Sequence, residues 1–198
     1  MGMGLTGRTL GIVGAGSIGR ETLRMFRPLD MKMLAADPYA DAAEVAALGA
    51  TLVPLDALLR NADFVCLTCT LTPETRHLID ARALALMQPT AYLVNVARGP
   101  VVDEPALVDA LLNRRIGGAA LDVFEEEPPD SAHPLFALEN VIVTPHALCW
   151  TDECFTAIAR SGLGSVVDVA QRKRPRHLVN PEVMLHPRAT GWFSGRLE

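Results

Sequence analysis

Four cysteines spread over 198 residues are far too few to form the disulfide framework of a small secreted domain. Long apolar runs are missing too. The best stretches are broken by Asp, Arg or Pro within a few residues, short of the roughly 20 apolar residues a membrane helix needs. The start, Met1 to Gly4, has neither a basic segment nor an apolar core, so no secretory leader is expected. Basic residues are not in excess: the net charge is -5 and the pI about 5.5. That balance argues against nucleic acid or an acidic membrane surface as the main partner. No internal repeat or low-complexity tract is present. What remains is the profile of a soluble cytoplasmic protein, 49% hydrophobic and 21% charged, with chain enough to bury one full core.

Short apolar runs alternate with helical patterns from Arg8 to Thr144. Strands are expected at Arg8–Val13, Lys32–Ala36, Thr51–Val53, Phe64–Leu67, Ala91–Val96, Gly117–Val123 and Val141–Thr144. Helices are expected at Ser17–Phe26, Asp41–Leu48, Leu55–Arg60, Asp80–Met87 and Glu104–Asn113. The strands are rich in Val, Ile and Leu on both faces, as in a parallel sheet covered by helices on each side. The expected fold is therefore α/β, a doubly wound parallel sheet of Rossmann type built from right-handed βαβ units. After Trp150 a long helix over Thr151–Ala170 is expected, then a basic patch and a stretch rich in Pro, Gly and Arg. The expected division is a dinucleotide-binding domain over 1–174 and a C-terminal tail over 175–198, extended and partly disordered unless it has something to dock on.

The segment Gly14-Ala-Gly16-Ser-Ile-Gly19 follows the first strand and opens a helix. Gly14 permits the tight turn, Gly16 lets the backbone approach a pyrophosphate, and Gly19 lets helix and sheet pack closely. The helix N-terminus offers free N–H groups to phosphates. Asp37 ends the second strand, where a carboxylate can accept hydrogen bonds from the ribose hydroxyls of an adenosine. Pro38 and Tyr39 follow it, with no Arg or Lys to hold a 2′-phosphate, which favours NAD over NADP. A nucleotide site for S-adenosylmethionine on a similar fold is the alternative.

Ligands of doubly wound sheets lie beyond the carboxyl ends of the strands. Here those ends carry Asn95-Val-Ala-Arg98-Gly99, then Asp122 with Glu125 to Glu127, then Thr144-Pro145-His146. The order GAGSIG, D, TPET, NVARG, LDVFEEEP, TPH resembles the nucleotide-binding domain of the D-2-hydroxyacid dehydrogenases, the family of phosphoglycerate, glyoxylate and hydroxypyruvate dehydrogenases. The resemblance runs from about Leu5 to the long helix.

It implies that Arg98 binds the carbonyl and carboxylate of a 2-oxo acid, that His146 is the general acid/base, and that Glu127 hydrogen-bonds this histidine. It also implies that Asp122 lies near the nicotinamide, with Ser17, Ile18, Val96 and Ala97 as main-chain cofactor contacts. Cys69 and Thr75 would line the cofactor-side loop. Thr68-Cys69-Thr70 stands where the family often has His-x-Pro, and Ala147-Leu148-Cys149 replaces a small Gly-rich stretch. Trp150 reads as an anchor for the long helix, with a wall of the pocket as the alternative. The implied reaction is hydride transfer between NAD(H) and a small 2-hydroxy or 2-oxo acid.

His77, His133, His177 and His186 have no such company in the sequence and are assigned no role. Cys66-Leu-Thr-Cys69 has the spacing of a redox or zinc motif, but Cys66 falls in an apolar strand, where a buried thiol is ordinary; no metal site is expected. The family's substrate domain is built mainly from an N-terminal segment. This chain starts almost at the first strand, so that segment is expected to be absent, and Val179-Asn-Pro-Glu-Val183 resembles the closing return. Such a chain is expected to bind NAD(H), to turn over poorly alone, and to form a homodimer through the long helix. A non-catalytic, NAD-sensing role of the co-repressor kind is the remaining alternative.

Overall fold

The computed structural model describes residues 4–194. The first three residues, and residues 195–198 of the expected tail, lie outside the described residues. Seven strands form one all-parallel sheet in the order β3-β2-β1-β4-β5-β6-β7. They are β1 (Thr9–Val13), β2 (Lys32–Ala36), β3 (Ala50–Leu52), β4 (Phe64–Leu67), β5 (Tyr92–Asn95), β6 (Gly118–Leu121) and β7 (Val141–Val143). The helices between them are α1 (Ser17–Phe26), α2 (Ala42–Ala47), α3 (Leu55–Asn61), α4 (Ala81–Leu86) and α5 (Glu104–Leu112). This is the doubly wound Rossmann-type arrangement, and every expected element is present within a residue or two at its ends.

Alternation along β1 shows why both faces are covered. Leu10 and Ile12 join Leu23 of α1 and Val45 of α2 in one cluster. Val13 joins Leu58 and Leu59 of α3 and the buried faces of α4 and α5 in the other. Gly11 between them is held small because Leu58 fills the space a Cβ would need. Helix starts are set locally. Asp41, Asp80 and Asp103 each accept backbone N–H bonds from the first turn of α2, α4 and α5, which satisfies donors the helix cannot. In contrast, α1 starts at Gly16 with no side-chain cap, so its first N–H groups remain available.

The strand order reverses between β1 and β4, the crevice where such sheets take ligands. At the opposite, amino end of these strands, the buried Asp63 carboxylate accepts from Arg8 Nη1 (3.0 Å) and the Thr9 amide (2.8 Å).

By compactness the chain divides between His146 and Ala147. The second unit contains α6 (Asp152–Ala170), capped by Thr151, and α7 (Pro187–Ser194). No residue of α6 is buried, and Phe155, Ile158, Leu163 and Val166 are all exposed. Within this unit Trp150 packs on Phe155, with ring centroids 6.2 Å apart. The stretch after Arg174 differs from the expected extended tail, since it folds into a 3-10 turn over Pro181–Leu185 and then α7. Two aromatic contacts give the reason: the Trp192 indole donates to the Val169 carbonyl (2.8 Å), and Arg172 lies over its ring. A single tryptophan can hold a short helix that periodicity alone does not announce. Among the described residues no helix is long and apolar enough to cross a membrane.

Candidate functional site

The glycine loop joins β1 to α1. Gly14 has φ +96°, a conformation open to glycine and disfavoured for other residues. A Cβ there would also meet the Cys69 backbone, and one at Gly19 would run into the Gly14 carbonyl. Gly16 is different: nothing lies within 4 Å of where its Cβ would be. That open space faces the uncapped N-terminus of α1, where Ser17 and Ile18 are exposed. Asp37 closes the loop from the end of β2. One carboxylate oxygen accepts from the Ala15 amide (2.8 Å) and the other from the Tyr39 amide (2.8 Å).

A groove runs along these strand ends. An apolar pouch of about 560 Å³ lies between Asp37, Leu52, Val53 and Leu55. It adjoins a space of about 330 Å³ lined by Gly14, Gly16, Asp37, Cys69 and Thr75. Beyond Thr68–Thr70 comes a third space of about 400 Å³, lined by Ile18, Cys69, Val96, Ala97 and Arg98. Thr75 accepts from the Thr72 amide and donates to the Thr70 carbonyl, both at 2.7 Å. Burial pushes the Cys69 thiol up, and the nearby Asp37 charge adds to this, against a lowering by its backbone hydrogen bond. Cys66, deeper in β4, is pushed up to about 11 by burial.

Asn95, 1% exposed at the end of β5, fixes the turn that carries Arg98. Its side-chain Oδ1 accepts from the Ala97 backbone amide (3.0 Å), and its side-chain Nδ2 donates to the Arg98 backbone carbonyl (3.0 Å). Arg98 itself is exposed, with Nη1 bonded to the Ala97 carbonyl (2.6 Å).

The end of β7 delivers His146, at φ +54°. Its Nδ1 lies 2.7 Å from Glu127 Oε2, while Glu127 Oε1 accepts from the Phe124 amide (3.0 Å). A carboxylate only accepts, so Nδ1 carries the proton and Nε2 is the nitrogen left for a ligand. Partial burial raises the Glu127 carboxyl. The hydrogen bonds from His146 and Phe124, with the charges of His146 and Arg98, outweigh that and hold it below the usual carboxylate range. The pair borders a cavity of about 480 Å³ whose walls are mainly Phe124, Phe136, Pro128 and Val143. Asp122, 6% exposed, accepts from Thr144 Oγ1 at 2.6 Å.

The structure thus gathers Gly14, Gly16, Asp37, Cys69 and Thr75 on one cavity, and Ile18, Val96, Ala97 and Arg98 on the next. Glu127 and His146 are paired with each other. Gly19 packs rather than lines, and Asp122 is turned to Thr144. Sequence reasoning named Asn95 and Thr68 at strand ends without giving either a role; the Thr68 hydroxyl donates to the Gly14 carbonyl (2.7 Å). Two histidines set aside as lacking company do have it. His77 Nε2 is 2.7 Å from Glu125, and His133 Nε2 is 2.9 Å from Glu104. Those partners are 48 and 29 residues away, which no local pattern reports. Among the described residues no three His, Cys, Asp or Glu side chains gather as a metal site.

These features fit a dinucleotide: an apolar pouch, a strand-end carboxylate, and an open glycine beside uncapped helix amides. Residues 1–147 match the family model described as D-isomer specific 2-hydroxyacid dehydrogenase, NAD binding domain. A Staphylococcus aureus protein named as a 2-hydroxyacid dehydrogenase is 40% identical over 179 residues, covering 90% of this chain and 56% of its own length. The apo structure of D-lactate dehydrogenase from Escherichia coli superposes with TM-score 0.82 at 35% identity, over 89% of this chain and 55% of that one. D-lactate dehydrogenase with NAD+ from Lactobacillus jensenii gives 0.83 at 28% identity, over 90% and 57%. The chain spans little more than half the length of the relatives it matches.

Proposed function

Since this chain belongs to the D-isomer specific 2-hydroxyacid dehydrogenase family through its NAD-binding domain, we propose that it supplies the cofactor site and reacting side chains for interconverting a D-2-hydroxy acid and a 2-oxo acid. The observation that carries this reading is the His146–Glu127 pair, 2.7 Å apart, at the same carboxyl edge of the parallel sheet as Arg98, which follows β5.

NAD(H), when bound, supplies the hydride acceptor or donor. The chain's own residues do the rest. In the reducing direction the Arg98 guanidinium binds the carboxylate and carbonyl of the 2-oxo acid, a task suited to a planar two-pronged donor. His146, doubly protonated, gives its Nε2 proton to the carbonyl oxygen as negative charge develops there. Glu127 holds Nδ1, so the ring keeps its orientation and its charge is compensated. In the oxidising direction Nε2 takes the hydroxyl proton back. Asp37 holds the glycine loop through Ala15 and presents its remaining lone pairs to the ribose.

His146 and Arg98 are both solvent-exposed in this chain. Without a cover that excludes water and fixes the acid, positioning and charge stabilisation are weak. These 198 residues alone are expected to bind NADH and, with positioning this weak, to reduce 2-oxo acids only slowly. Titration of the nicotinamide fluorescence tests binding, and a glyoxylate or hydroxypyruvate assay tests turnover. Failure to bind NADH contradicts the reading. Four free cysteines fit a reducing compartment, so a cytoplasmic location is proposed with it. The exposed apolar face of α6 supports a homodimer, tested by light scattering; a mass equal to one chain contradicts it. No observation favours a methyl-donor site or a purely sensing role.

A further inference from the structure

We propose that Glu125 is a positioning residue that ties the turn carrying Thr75 to the loop carrying Glu127, and so sets the orientation of the Glu127–His146 pair. This rests on the dehydrogenase reading, which gives the pair its work.

The loop after β6 is held at successive peptides. The Phe124 amide donates to Glu127 Oε1. The next amide, that of Glu125, donates to Glu104 Oε2 (3.1 Å), whose other oxygen is engaged by His133. Gly99 presses against the Phe124 carbonyl and the Glu125 amide so closely that a Cβ there would overlap them. Arg98 is the neighbour of that glycine, so it shares the same backing.

From this clamped segment two carboxylates reach out, two residues apart. Glu127 takes His146, and Glu125 Oε1 takes His77 Nε2 at 2.7 Å with Arg76 Nη2 at 3.5 Å. His77 (φ +50°) and His146 (φ +54°) both sit in the left-handed region, disfavoured for histidine. Each keeps that conformation while bonded to a carboxylate of the same loop. His77 adjoins the Thr72–Thr75 turn that lines the cofactor space, and its own amide donates to the Pro100 carbonyl (2.8 Å). A displacement of that turn therefore passes through His77 and Glu125 to Glu127.

The His77 and Arg76 side chains are 38% and 56% exposed, where ion pairs add little to global stability. Orientation, rather than stability, is then what Glu125 contributes.

The readout is the tautomer of His146, followed by its ring ¹⁵N shifts in the labelled chain, together with NADH affinity and the melting temperature. The wild type is expected to hold the proton on Nδ1. E127A removes the acceptor and should give the full swing toward the Nε2–H form that free imidazole prefers. E125A should give part of that swing, changing the tautomer ratio about threefold, with a small loss of NADH affinity and an unchanged melting temperature. E125Q keeps an acceptor oxygen and should restore most of the ratio. H77N, which suits a left-handed backbone but is too short to reach, should match E125A and serves in its place if E125A does not fold. On the E127A background, E125A should add nothing. If E127A moves the tautomer and neither E125A nor H77N does, Glu125 has no positioning role. If E127A itself changes nothing, the pair does not form in solution and the dehydrogenase reading falls with it.

Discussion

The two ends of the cofactor groove are made of different material. At the phosphate end the chemistry belongs to the backbone: glycines that leave room, uncapped amides at α1, and Asp37 tying the loop to β2. At the end proposed to react it belongs to side chains from separate segments, Arg98, Glu127 and His146, with His77 as the proposed brace. The first end is specified by what is absent from the sequence at fixed spacing. The second is specified by charges brought together over long separations. Damage should therefore look different at the two ends: steric and all-or-none at one, electrostatic and graded at the other.

Gly19→Val should have the largest effect. Its side chain would overlap the Gly14 carbonyl, a backbone atom that cannot yield, costing about 3 kcal/mol and lowering NADH affinity by roughly 100-fold. Thermal melting and fluorescence titration read the two losses. Gly16→Val separates room for the chain from room for the ligand. Beyond its chain neighbours nothing lies within 4 Å of a Cβ there, so melting should fall only by the few degrees that a poorer N-cap costs α1, while NADH affinity falls by about tenfold or more. An equal loss of stability in both variants would break the comparison.

At the other end Arg98→Ala should leave NADH affinity within about twofold. Binding of oxamate, an unreactive 2-oxo acid mimic, to the NADH-loaded chain should weaken by about tenfold. Glu127→Gln tests the sign of an electrostatic effect. The Glu127 carboxyl is held below its usual range, so its contribution is present above the unfolded value, about 4.3, and is lost as pH falls through the lowered native value. Wild type should exceed E127Q in stability at pH 7 by no more than about 1 kcal/mol, the pair being exposed. The gap should close once the pH falls below the lowered native value of the Glu127 carboxyl, and a gap that persists there contradicts the pairing. Smallest of all, Cys66, pushed up to about 11, should resist alkylation at pH 8 in the folded chain, while the exposed Cys149 reacts.

The same contrast explains what could be read in advance. Strands such as Lys32–Ala36 and Phe64–Leu67 were legible to the residue because a two-sided apolar run has few other fates. The glycine loop was legible because spacing and context coincide. His146 with Glu127 became legible only through family resemblance, since nothing local links residues 19 apart. His77 and His133 were illegible, because their roles rest on partners 48 and 29 residues away that meet them only in the folded chain. The helix α7 was hidden for another reason: Trp192 ties it to Val169 and Arg172 and Thr190 bonds back to Met184 and His186, and no repeating pattern marks its sequence.

The most direct measurement is a crystal structure of the chain with NADH and oxamate bound. It should place the adenosine ribose on Asp37 and the oxamate carboxylate on Arg98. The oxamate carbonyl oxygen should lie within hydrogen-bond reach of His146 Nε2, with Nδ1 still on Glu127. A nicotinamide ring remote from His146, or a His146 ring turned off Glu127 with the ligands in place, would contradict it.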